Sequence, residues 1–183
     1  SAVGAAPTFA HLPLLVDAAG EGLSKRLGSL SVGQMREEGL EPMAINAYLA
    51  KIGTGDPAVP ARSLDDLLPD HDLSKFGKSS PRFDPEELTH LNARLLHHLP
   101  FEDARKHLAA VGLGDVDAAV WDVARANVEK IEDVAVWHSV VKGPVTPAIA
   151  DSAFAAKAAG LLAPAPWTSA TWWAWANAVK PGS

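Results

Sequence analysis

The stretch from Phe83 to Pro100 constrains this chain more than any other, because it carries a complete set of helix signals in one short run. Asp84 stands at the N-cap, Pro85 takes the first helical position, and Glu87 falls at capping-box spacing. Leu88, Leu91, Leu95 and Leu96 share one face, and Pro100 stops the helix. Such a helix needs an apolar surface to pack on, and its neighbours supply one in the same period. Ser31 precedes Gln34 at capping-box spacing and Gly39 closes a short helix. Pro42 then opens a second, with Met43, Ile45, Tyr48, Leu49 and Ile52 as its apolar positions and Gly53 as its end. A linker with Gly55, Pro57 and Pro60 follows, and Ser63 caps a short acidic helix through Leu68, stopped by Pro69.

Beyond Phe101 every segment has a helical period. Residues 101–111 end at Gly112, a single long helix is expected from about Asp117 to Val141, and two more run from Pro147 to Leu162 and from Ser169 to Val179. Only Phe9 to Asp17 reads as extended, leading into a turn at Ala18–Gly22. The expected fold is all-α and multi-helix, with one short extended segment near the N-terminus and two helical subdomains divided between about residues 100 and 115.

With 183 residues, 48% of them hydrophobic, the chain can bury a real core. No apolar run approaches the roughly 20 residues needed to cross a bilayer, and Ser1 to Gly4 has neither a basic nor an apolar leader character, so a cytoplasmic location is expected. The absence of cysteine removes disulfides and thiolate metal sites. A net charge of -6 argues against holding nucleic acid by bulk electrostatics, although a protein that reads a folded RNA by shape needs only a local basic stripe. The first residues do not read as the start of a domain, and the chain is expected to be a fragment.

The most informative loop is Gly22-Leu23-Ser24-Lys25-Arg26. A lysine on a mobile glycine-flanked loop can close over a nucleotide triphosphate and stabilise charge developing on departing pyrophosphate. Taken alone, the same five residues also suit a solvated surface loop.

Context favours the first reading. The run from Pro7 through Gly53 resembles the end of the catalytic domain of a class I glutamyl-tRNA synthetase, in which an F-x-H-x-P-L-L stretch, here beginning at Phe9, precedes a KMSKS-type loop. The family pattern continues with Ser31-Val32 and then with Asn46 to Gly53. The resemblance extends through Phe83-Asp84 and Leu91-Asn92, similar to the family's stem-contact region, and more weakly to Pro166-Trp167 and Thr171-Trp172 in its anticodon-binding helices. Gly22 stands where the family commonly has its first lysine, so Ser24 and Lys25 carry the loop's ATP role.

The resemblance implies three stretches: the end of a catalytic domain at 1–30, a stem-contact-like domain at 31–105, and an incomplete anticodon-binding domain at 106–183. It implies a complete enzyme that activates glutamate with ATP, accompanied by Mg2+, and passes it to tRNA(Glu) or also tRNA(Gln), with Lys25 catalytic. Gly22, Leu23, Ser24, Arg26 and His11 are implied as further ATP-site residues. The fragment alone is expected to be inactive and monomeric. A free-standing tRNA-binding or interaction module is the other reading.

For RNA, Lys75, Lys78 and Arg82 cluster in a loop with Gly77, Ser79 and Ser80, and Arg94 follows within the next helix. Donors of this kind suit sugar–phosphate contact, and they also suit a solvated face. His97 and His98 sit at a helix end without ligand partners at convincing spacing, so no metal is assigned. Trp172, Trp175 and Val179 recur at helical spacing and are expected to form a buried stripe, with Trp173 facing elsewhere. If further helices cover that face in a longer protein, the rings are expected to be exposed here.

Overall fold

The computed structural model of the chain describes residue 4 and residues 9–23, 31–144 and 150–180. Among these the fold is all-α: α1 (Val32–Glu37), α2 (Pro42–Lys51), α3 (Leu64–Leu67), α4 (Pro85–His98), α5 (Phe101–Ala110), α6 (Ala118–Ala124), α7 (Val134–Lys142), α8 (Ser152–Gly160) and α9 (Ser169–Val179). None of them is long and apolar enough to cross a membrane. Among the described residues, β-pairing is limited to isolated bridges made by Val16.

Most helix boundaries follow the capping signals. Ser31 and Gln34 form a reciprocal box at α1, as do Ser63 and Asp66 at α3. Gly39, Gly53 and Gly112 each follow a helix with positive φ (78°, 87° and 81°), the left-handed geometry that ends helices and that side chains with a Cβ disfavour.

The α4 cap differs from the expected box. Asp84 accepts from the N–H groups of Glu86 and Glu87, but its own N–H donates to the hydroxyl oxygen of Tyr48 at 2.8 Å. Tyr48 comes from α2, so a tertiary contact replaces the local carboxylate of Glu87. Burial, with the nearby negative charge of Glu87 and Asp84, raises the Tyr48 pKa. Its ring meets Phe83 edge-on at 5.4 Å, which pins the entry to α4 against α2.

The α4 helix is the spine of the first compact unit, residues 1–143, and packs on α2 and on the turn at Arg125–Asn127. Leu88, Leu91 and Leu96 are fully buried, as are Trp121, Leu108 and Val134 from the later helices. One buried amide organises this junction. Asn92 accepts the N–H of Glu41 at 2.8 Å and donates to the carbonyl of Glu129 at 2.6 Å, tying the start of α2 and the loop before α7 to α4. The carboxylate of Glu41 meets Nδ1 of His107 on α5 at 2.6 Å. At the far end, Trp121 donates its indole N–H to the carbonyl of Leu99, which caps α4 from α6.

These contacts account for a difference from the expected organisation. The chain separates at 143/144 rather than between residues 100 and 115, because the core runs on through Leu108, Trp121, Val128 and Val134. The single helix expected from Asp117 to Val141 is also broken, into α6 and α7. Between them the backbone turns so that Val128 and Ile131 point inward, and the Asp133 carboxylate accepts the N–H groups of Glu129 and Lys130.

The second unit, residues 144–183, contains α8 and α9. Asp151 caps α8 by accepting from Phe154 N–H, later than the expected start at Pro147, which lies outside the described residues. The helix α9 runs where expected, but its tryptophan stripe is not buried. Trp172 is 57% exposed and lies 5.1 Å from the half-buried ring of Trp175, which donates its indole N–H to the carbonyl of Ala158. Trp173 is 65% exposed. With no buried residue in α9, the two rings cover each other instead of a core.

Candidate nucleotide-loop base and RNA-contact surface

Asp17 builds the turn below the candidate nucleotide loop. Its carboxylate oxygen accepts the N–H groups of Ala19 and Glu21, both at 2.9 Å, and its backbone exchanges bonds with Gly20 and Glu21. Gly20 takes φ 87° at the turn's end, and the chain returns so that Gly22 bridges Val16. Gly22, Leu23 and His11 are exposed. Ser24, Lys25 and Arg26 lie outside the described residues, as does most of the stretch from Gly20 to Ser29 expected to form a mobile loop.

Val16 has a second partner. Its N–H donates to the carbonyl of Pro81 at 3.0 Å, and its carbonyl accepts the N–H of Phe83 at 2.8 Å. The base of the candidate nucleotide loop is therefore bonded to the backbone on both sides of Arg82. Because Phe83 is buried against Tyr48, this junction is anchored to the α2–α4 core.

The basic loop folds against the end of α2. Asp72 caps the 3-10 turn Leu73–Lys75 by accepting from Ser74 N–H, and that bond holds the Asp72 carboxyl below its ordinary pKa. Gly77 N–H reaches the carbonyl of Gly53 at 2.8 Å, and a Cβ at Gly53 would lie 3.2 Å from Cγ of Pro81. The result is a polar cleft of about 190 Å³ at the end of α2, lined in part by Lys51, Asp56, Arg82 and Glu87.

The four candidate RNA donors differ in their environments. Lys78 and Arg82 are exposed and have no side-chain partner among the described residues. Lys75 pairs with Asp56 at 2.7 Å, which raises the lysine pKa and lowers that of the carboxyl. Arg94 donates to the carbonyl of Ala58 at 2.8 Å, and Ala58 lines the same cleft as Arg82. Lys51, not foreseen from the sequence as a site residue, contributes a side chain only 10% exposed whose ammonium lies 3.3 Å from the carbonyl of Asp70 and 3.5 Å from Asp56. It sits in the last turn of α2, where a basic residue is ordinary helix chemistry, so nothing local distinguished it.

Among the described residues no group of three or more histidines or carboxylates is placed to hold a metal ion. His97 Nε2 lies 3.2 Å from the carbonyl of Val128, and His98 is exposed.

No family model matches the chain. Among curated proteins it is 48% identical over 178 residues to a glutamate–tRNA ligase of Azospirillum brasilense, covering 97% of this chain and 40% of that protein. It is 45% identical over 181 residues to glutamate–tRNA ligase 2 of Methylorubrum populi, again covering 40% of the relative. A solved glutamate–tRNA synthetase from Elizabethkingia anophelis superposes with a TM-score of 0.59 at 21% identity, covering 84% of this chain and 36% of that one, which supports the fold. Nearly the whole chain is thus similar to one stretch of these glutamate–tRNA ligases, and it spans about two-fifths of the length of the curated relatives it matches.

Proposed function

We propose that this chain supplies the nucleotide-loop end and the tRNA-contacting helices of a ligase that activates glutamate with ATP and transfers it to tRNA(Glu). One observation carries the reading: Val16 bonds the base of the Gly22–Leu23 loop to the backbone flanking Arg82, so the two elements assigned to ATP and to RNA share one anchor. The chemistry of each fits its assignment. Lys25 would place an ammonium against the triphosphate, where its attraction grows as negative charge gathers on departing pyrophosphate. Ser24, Gly22, Leu23, Arg26 and His11 would line the nucleotide around it. Lys78 and Arg82, aided by Lys75 and Arg94, would hold the sugar–phosphate backbone of the tRNA.

In this reading residues 1–30 close the catalytic domain, 31–105 meet the acceptor side of the tRNA, and 106–183 extend toward its anticodon. The second and third stretches share the core built around α4, which runs on as far as Val134. In the complete ligase, Lys25→Ala should lower ATP–pyrophosphate exchange about 10²-fold to 10³-fold while tRNA affinity stays within twofold. Unchanged exchange with weakened tRNA binding would remove Lys25 from the ATP site.

A further inference from the structure

One carboxylate oxygen, Oδ2 of Asp56, faces two ammonium groups: Lys75 at 2.7 Å and Lys51 at 3.5 Å. This is the arrangement a phosphate oxygen would adopt between two lysines. Lys51 is nine-tenths buried, and its contacts to Asp70 and Asp56 are long for a charged donor, which leaves it incompletely satisfied. Asp56 itself is half-buried, with its side chain 39% exposed, and stands on the Gly/Pro linker. Its backbone N–H donates to Oγ1 of Thr54 at 3.1 Å, so its side chain can leave the lysines without disturbing that turn. Arg82 lines the same cleft and adds a further positive charge beside the pair.

Resting on the RNA-contact reading of this loop, we propose that Asp56 is an internal stand-in for phosphate: it occupies a Lys51–Lys75 anion site that an RNA backbone phosphate takes over by displacing it. The exchange swaps one single negative charge for another between the same two ammonium groups, so it is close to balanced. In the resting chain the Asp56 carboxylate already offsets one of the two lysine charges, which fits a protein of net charge -6 that must not adhere to every polyanion. Asp56 thereby sets how much of the loop's positive charge nonspecific RNA can use, and Lys78 and Arg82 make the first contact.

The test measures binding of this chain to a tRNA(Glu) transcript and to an unrelated tRNA, across a salt series. Asp56→Asn should tighten both about threefold to tenfold and steepen the slope of log affinity against log salt by about 0.7 to 0.9, one additional phosphate. Lys75→Ala should change affinity less than threefold in the wild-type chain and should cancel the gain in the Asp56→Asn chain. A thermal melt of the Asp56→Asn chain checks its fold, and the double variant repeats the test where the pair is removed from both sides. If Asp56→Asn leaves affinity and slope unchanged while Arg82→Ala and Lys78→Ala weaken binding, the stand-in is refuted and the RNA-contact reading survives. If none of the variants changes binding, both are refuted.

Discussion

Asn92→Ala removes a side chain that joins three segments of the first unit. The amide is fully buried, and it accepts from the N–H of Glu41 while donating to the carbonyl of Glu129. Loss of two such bonds costs about 0.5 to 1.5 kcal/mol each, and the Glu41 N–H left without a partner adds about 1 to 3 kcal/mol of unrecovered desolvation. Part of the second term overlaps the first, which places the total near 3 kcal/mol. With a urea slope of about 1.5 kcal/mol/M for a domain of this size, the unfolding midpoint should fall by about 2 M. The assay is urea unfolding followed by tryptophan fluorescence, because Trp121 lies in the same core. Asn46→Ala on the exposed side of α2 serves as the control and should move the midpoint little. A shift at Asn92 no larger than at Asn46 would show that the buried amide is not what joins α2 and the 128–130 loop to α4.

Tyr48→Phe keeps the ring on Phe83 but removes the acceptor for Asp84 N–H. It should cost about 1 kcal/mol in the same assay, and an unchanged midpoint would mean that the Asp84 cap does not depend on the hydroxyl. Acid should loosen the linker and the basic loop: Asp66 is held low chiefly by the backbone N–H of Arg62, and Asp72 by that of Ser74, so each stabilises the fold above its unfolded pKa and loses that contribution as pH falls through its folded value. Stability should therefore decline below about pH 4, and replacing both by Asn should flatten that part of the profile. A profile unchanged by the double substitution would remove these caps as its source.

What was legible in the sequence was local. Ser31 with Gln34, Ser63 as a cap, Asp84 with Pro85, and the glycines at 39, 53 and 112 each act within a turn, so spacing alone locates the helix ends. The misreadings arise where a distant group intervenes. Glu87 has capping-box spacing, yet Tyr48 from α2 takes the Asp84 N–H, because tertiary packing brings a better-placed oxygen. The break between α6 and α7 lacks proline and glycine. Its signal was Asp133, placed to accept from Glu129 and Lys130, in a stretch whose apolar period otherwise continues. The stripe on α9 has the spacing of a buried face, but spacing cannot say whether a partner surface is present, and Trp172 stays exposed. The same limit holds at the candidate site. Lys75 was visible as one of a basic cluster, whereas Asp56, which neutralises it, lies 19 residues earlier in a linker and meets it only through the fold.

The claim that this basic loop holds the backbone of a tRNA is tested most directly by a salt titration of tRNA(Glu) binding, with the wild-type chain and Lys78→Ala side by side. Lys78 is exposed and has no side-chain partner among the described residues, so its removal takes away a phosphate contact without leaving a buried charge behind. Lys78→Ala should bind more weakly at every salt concentration, with a slope of log affinity against log salt flatter by about 0.7 to 0.9. Identical affinity and identical slope for the two chains would make the loop a solvated face and would contradict the assignment.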